Sequence, residues 1–232
     1  MKLFRRKVRI VFDLVQYWFH SNENIKIKSN QIVEIKESRF NYLGLLKPVN
    51  NAILQIDQSL DVIFDSFDKK LRYEIKRSEK ENLTFCKCDD NIKLFNFYVK
   101  FSKHKNISYH SFDFFKKLTH FVSIYKGNYV RCHSFFGDHN EIILISSFVC
   151  NEKNISNSLK GFANRGLHWY SIQYFKNQGV KIYNFGGIGN EDLDPSKKAI
   201  KKFKEEFNPE IATYYSGILR LNILSKIHKI LR

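Results

Sequence analysis

From Leu60 onward the apolar positions recur every three or four residues: Leu60, Ile63, Phe64, Phe67, Leu71 and Ile75. That spacing predicts one amphipathic helix over 60–81. Lys69, Arg72, Lys76 and Lys80 fall on its other side at the same spacing and form a cationic stripe. A strand over 83–88 follows, then helical patterns over 90–102 and 111–121. The period then shortens to that of strands over 129–136, 141–150 and 155–162, with a turn at Gly137-Asp138. Asn164 is placed to cap a helix that runs to Gln178 and stops at Gly179. Residues 180–185 form a buried strand ended by Gly186-Gly187. Asp194-Pro195 opens a further helix, with Ile200, Phe203 and Phe207 as its inner face, and Asn208-Pro209 ends it. A strand over 211–215 and a basic amphipathic helix over 218–232 complete the pattern. The first fifty residues are less legible, with short strands expected over 31–35 and 42–46.

Strands alternating with helices predict an α/β (α+β) class. A strand–helix–strand crossover requires 155–162 and 180–185 to lie parallel in one sheet. Hydrophobic residues make up 43% of the 232 positions, including 22 Phe and 12 Tyr, which suffices for a packed core and excludes a disordered chain. No Pro- or Gly-rich linker interrupts it, so a single domain over 1–232 is expected, with 218–232 as a terminal helix. The net charge of +16 favours anionic partners: nucleic acid, nucleotide phosphates, coenzyme A or an anionic membrane.

Four cysteines suggest a reducing compartment and no disulfide framework. Cys86-Lys87-Cys88 is spaced too tightly for the usual zinc pair, and no two histidines form an i, i+4 metalloprotease pair, so no metal is expected. Arg5, Arg6, Lys7 and Arg9 before an apolar run over 10–19 superficially suggest a signal peptide. Asp13 and Gln16 interrupt that run, no small-residue cleavage site follows, and the run is too short to span a bilayer. A cytoplasmic protein is expected, and the apolar stripe of 218–232 adds a candidate peripheral contact with the inner membrane surface.

A helix N-terminus presents unpaired N–H groups and partial positive charge, which suits a phosphate. The predicted terminus carries Phe162-Ala163-Asn164-Arg165-Gly166, where Arg165 adds a full charge and Gly166 permits close approach of a ligand. Arg165-Gly166, a helix, then Gly179 and a strand resemble the donor-phosphate segment of the GNAT acyltransferase superfamily, normally R/Q-x-x-G-x-G/A, with His168 where a second small residue is expected. Two further stretches resemble its FemAB-like branch. Leu71-Arg72-Tyr73-Glu74-Ile75-Lys76-Arg77-Ser78-Glu79-Lys80 is similar to "R-x-x-I-R-K-A-x-K-x-G". Leu167-His168-Trp169 through Gly179 to Tyr183-Asn184-Phe185-Gly186-Gly187 is similar to "L-x-W-x-x-I-x-x-A-x-x-x-G-x-x-x-Y-D-F-G-G", with Asn184 in place of Asp. The stretch 200–207 and Tyr215-Ser216-Gly217 resemble the ending "G-I-x-x-F-K-x-x-F … Y-x-G".

The resemblance implies a GNAT-like mixed, splayed central sheet flanked by helices. It also implies acyl transfer to an amine, which needs a base and an oxyanion site but no enzyme nucleophile. It places oxyanion-binding N–H groups around Lys160 to Phe162, donor contacts at 162–166, and acceptor contacts at Arg72, Lys76, Lys80, Gly186 and Gly187. Glu191 and Asp192, after the Gly-Gly turn, are the candidate bases, with His133 and His139 next. The expected activity is N-acylation of a nucleotide-linked or lipid-linked amino sugar in surface glycan assembly, with acyl-CoA as co-substrate and no permanently bound cofactor. The alternative is an aminoacyl-tRNA-dependent ligase acting on a peptidoglycan precursor.

Overall fold

The computed structural model describes residues 2–8, 12–18, 31–39, 41, 46–150, 155–189 and 196–220. In chain order the elements are β1 (Lys2–Val8), β2 (Phe12–Trp18), β3 (Gln31–Ser38), β4 (Lys47–Gln55), α1 (Leu60–Asp65), α2 (Lys69–Lys80), β5 (Thr84–Lys87), α3 (Asn91–His104), α4 (Phe112–Phe115), β6 (Thr119–Tyr125), β7 (Asn128–Gly137), β8 (Glu141–Val149), α5 (Asn157–Asn177), β9 (Ile182–Gly187), α6 (Ser196–Glu205) and β10 (Glu210–Arg220). The chain divides into two compact units, Ala52–Glu210 and Met1–Asn51 with Ile211–Arg232.

In the larger unit a mixed sheet runs in the order β4, β9, β8, β7, β6, β5. The pairs from β5 to β8 are antiparallel, whereas β8 and β9 are parallel, joined through α5. Side chains alternate across the sheet. Phe121 and Phe135 meet Phe175 of α5 on one face, at ring-centroid distances of 5.4 and 5.2 Å. Phe148 meets Tyr98 of α3 on the other, and Tyr98 stacks on Phe115 of α4. The largest core lies on the first face, where Leu71, Ile75, Leu167, Ile172 and Phe175 from α2 and α5 pack over Phe121, Phe135 and Tyr183. This is the helix-flanked mixed sheet that the sequence predicts.

Three boundaries differ from the sequence reading. The helix expected over 60–81 is two helices, broken at 66–68. Arg72 makes the break stable by donating from Nη1 to the carbonyls of Asp65 and Phe67 at 2.5 and 2.8 Å. The helix expected over 111–121 is the single turn α4, because Thr119 already belongs to β6, where Phe121 and Val122 are buried on opposite faces. The strand expected over 155–162 is helix, so the parallel neighbour of β9 is β8. β4 was not anticipated, although Ala52, Ile53 and Leu54 are buried in a row; of the strand expected over 42–46, positions 42–45 lie outside the described residues.

In the smaller unit β1 and β2 are antiparallel, β2 and β3 parallel, and β3 pairs antiparallel with β10. Val33, Ile35 and Leu46 are its buried core, with Tyr17 and Tyr215 against them. β10 is irregular between Tyr215 and Gly217 and continues to Arg220, so 218–220 are strand where a helix was expected. Residues 221–232, which carry the rest of that predicted helix, lie outside the described residues. No described helix is long and apolar enough to cross a membrane.

Candidate active site

The cap of α5 lies eight residues earlier than the sequence reading placed it, at Ser156 instead of Asn164. The Ser156 hydroxyl caps it by accepting the Leu159 N–H at 3.1 Å. Residues 162–166 therefore lie inside the helix, where their N–H groups serve its own ladder and cannot cradle a phosphate. The same holds for the backbone of 160–162 as an oxyanion site.

Each side chain of that segment has a structural partner. Ala163 is buried against Leu83, Val130 and Leu159, with Phe162 at the edge of the same cluster. Asn164 Oδ1 accepts from His133 Nε2 at 2.9 Å and from the Ser147 hydroxyl at 3.4 Å. Arg165 lies between two carboxylates, with Nε 2.7 Å from Glu74 and two bonds of 3.0 Å to Glu206, and its guanidinium stacks 5.2 Å from the Phe203 ring. A cation so neutralised is a poor anchor for a pyrophosphate. A Cβ on Gly166 would strike the Phe85 ring and the Ser78 side chain, so its missing side chain serves helix packing and not ligand approach.

The parallel ladder of β8 and β9 spans only three pairs, from Glu141↔Ile182 to Ile143↔Asn184, and stops before either strand ends. Gly186 sits just past that point in the left-handed region, at φ 77°. Its N–H donates to Asn184 Oδ1 at 2.7 Å, and the Asn184 amide donates to the buried Glu141 carboxylate at 2.8 Å. Lys204 of α6, 7% exposed, donates from Nζ to the carbonyls of Gly186 and Gly187 at 3.0 and 2.8 Å. A full positive charge is thus buried where the two strands part. On α6 Phe203 and Lys204 face inward, and Phe207 is buried just past the helix end, while Ile200, expected inside, is 49% exposed. The sequence reading gave Lys204 no role; its signal was its place as the lysine of the Phe-Lys pair in the stretch 200–207.

Behind this tip lies a buried polar cluster. His168 Nδ1 is 2.8 Å from the Tyr183 hydroxyl, and the rings of His168 and His133 are 4.2 Å apart. Because Asn164 Oδ1 can only accept, His133 carries its proton on Nε2, which leaves a buried Nδ1 without a hydrogen-bond partner. Burial pushes His133 down to about 3 and His168 well below the ordinary histidine value, and it pushes the Tyr183 hydroxyl well up. His133, expected as a solvated turn residue and secondary base, is a neutral core residue; His139 is exposed.

On α2, Lys76 and Lys80 are exposed, Lys76 lies 5.7 Å from the Phe64 ring, and Arg72 is half-buried in the helix break. Glu191 and Asp192 lie outside the described residues. Among the described residues no group of His, Cys, Asp and Glu side chains could hold a metal ion.

Residues 160–223, which include most of α5, β9, the tip, α6 and β10, match the model of the FemAB family. The fold is shared with FemX (TM-score 0.64, 12% identity, 97% of this chain and 86% of that one covered) and with L-PGS from Bacillus licheniformis (0.59, 17%, 99% and 83%). It is also shared with a C-terminal DUF2156 domain from Agrobacterium fabrum (0.59, 12%, 87% and 71%). No curated protein sequence matches the chain. Across 160–223, the stretch that holds the tip, the chain is thus similar to the FemAB family, and it shares its fold with FemX and L-PGS.

Proposed function

We propose that the protein is an aminoacyl transferase that passes an amino acid from the ester of a charged tRNA to an amine of a cell-envelope precursor. One observation carries this reading: the FemAB match falls on the segment that buries Lys204 against the Gly186 and Gly187 carbonyls at the end of the β8–β9 ladder. The acceptor nitrogen attacks the ester carbonyl, the tetrahedral oxyanion collapses, and the ribose oxygen leaves with the proton the nitrogen gives up. A buried ammonium favours negative charge developing near it, which is the demand of that oxyanion. The net charge of +16 suits a polyanionic donor. Glu191 and Asp192 remain the proposed bases; Glu191→Gln or Asp192→Asn should lower kcat with KM unchanged.

Acyl-CoA as donor, with an amino sugar nucleotide as acceptor, is the weaker reading. Its expected phosphate contacts at 162–166 lie within a helix, and Arg165 is engaged by Glu74 and Glu206. The test offers the purified protein radiolabelled aminoacyl-tRNA with envelope-precursor amines, and separately labelled acetyl-CoA with amino sugar nucleotides. Label should move only from the tRNA. Transfer from acetyl-CoA alone would reverse the assignment.

A further inference from the structure

α3 ends at His104 and α4 begins at Phe112, and the connection between them exposes large apolar side chains. Ile107 is 50% exposed, Tyr109 46% and Phe112 37%, three within six positions. The segment is held in place. The Ile107 N–H bonds the Ser102 carbonyl at 3.0 Å, the His110 N–H bonds the Tyr98 hydroxyl at 3.3 Å, and Tyr109 and Phe112 rest against Tyr98 and Phe95. Its exposure therefore belongs to a fixed surface. The stretch 103–117 carries exposed Lys103, Lys105, Lys116 and Lys117 against one acid of its own, Asp113, which Lys116 pairs at 2.8 Å. Lys116 also lies 6.0 Å from the Phe112 ring.

We propose that this segment docks the protein on an anionic lipid surface, with Ile107, Tyr109 and Phe112 entering the headgroup boundary and the lysines on the lipid phosphates. An aliphatic residue flanked along the chain by aromatics and lysines has the chemistry of an interfacial anchor. A nucleic acid would use the same lysines, and bases could stack on Tyr109, but the exposed Ile107 would gain nothing from phosphate or base. The inference is independent of the donor and also of residues 221–232.

The test is co-sedimentation of the full chain with phosphatidylcholine vesicles with or without phosphatidylglycerol, alongside tRNA binding. The protein should sediment with the anionic vesicles only. The I107S/Y109S variant, checked for folding by thermal melting, should partition about tenfold less, since it removes most of the apolar area offered. K103E/K105E should lose binding comparably, and the binding that remains should depend less on salt. Sedimentation of I107S/Y109S equal to the full chain would overturn the proposal. So would a K103E/K105E variant that loses tRNA binding and keeps vesicle binding, which would mark the patch as a nucleic-acid surface.

Discussion

Asn184 donates to the Glu141 carboxylate at 2.8 Å, and the same amide accepts the Gly186 N–H at 2.7 Å, so one side chain ties β8 to the turn after β9. The FemAB-like pattern has Asp here, and an aspartate in this geometry would face Glu141 as a second buried anion. Asn184→Asp should therefore destabilise the fold by about 1–3 kcal/mol at pH 7. Measured against wild type at each pH, the deficit should shrink at pH 5, where one of the two carboxyls takes up a proton. Chemical denaturation at both values checks it, and an undiminished deficit would point to a cause other than charge.

The buried histidines set an acid limit. His133 is pushed down to about 3 and His120 to about 4, mainly by burial, and His168 also lies well below its ordinary value. In the unfolded chain they titrate near 6.5. Their folded values are depressed, so the unfolded state binds the extra protons and stability falls as pH drops from about 6.5 towards 4. Each contributes a slope of about 1.4 kcal/mol per pH unit in that window. His133→Gln keeps an N–H for Asn164 and removes the titration, so its stability should fall less steeply between pH 6.5 and 4.5.

Lys204→Met keeps the length of the side chain and removes its charge. Aminoacyl transfer should fall about a hundredfold, the scale of losing one donor to a developing oxyanion, while tRNA affinity is retained. Single-turnover rates beside filter-binding constants separate the two. A parallel loss of affinity would place Lys204 in donor binding.

The cationic stripe on α2 divides by role. Arg72→Ala frees the carbonyls of Asp65 and Phe67 and should lower the melting temperature, whereas Lys76→Ala and Lys80→Ala should leave it unchanged. If tRNA crosses this face, each lysine removed should reduce the slope of log affinity against log salt by about 1. Unchanged slopes would take the donor elsewhere.

The sequence displays its fold where packing follows one period. β5, β7, β8, β9 and α3 fall within a few residues of their predicted positions because their apolar positions repeat at strand or helix spacing. It misleads where polar residues have buried partners. Asn164 looks like the cap of a helix that starts there, yet it is held inside α5 by His133 of β7, a partner thirty-one residues away. Arg165 looks like a free anion-binding charge, and nothing local announces that Glu74 and Glu206 converge on it. Near the candidate site, the strand end at Gly186 was legible because its left-handed backbone, at φ 77°, favours glycine. Lys204 was not, because a lysine on an inner helix face is recognisable only once the carbonyls it meets are in place.

Gly166 has a consequence for how this protein can change. Because any side chain there would collide with Ser78 and Phe85, α2 and α5 pack too closely at this point to admit even a methyl group. The outer side of α2, with Lys76 and Lys80, is therefore a surface whose charges can be rewritten without moving the helix behind it. Recognition of a new anionic partner could evolve on α2 while the tip at Gly186 and Lys204 stayed fixed. The opposite route, reshaping the tip by tilting α5, would give up the close contact that the glycine permits.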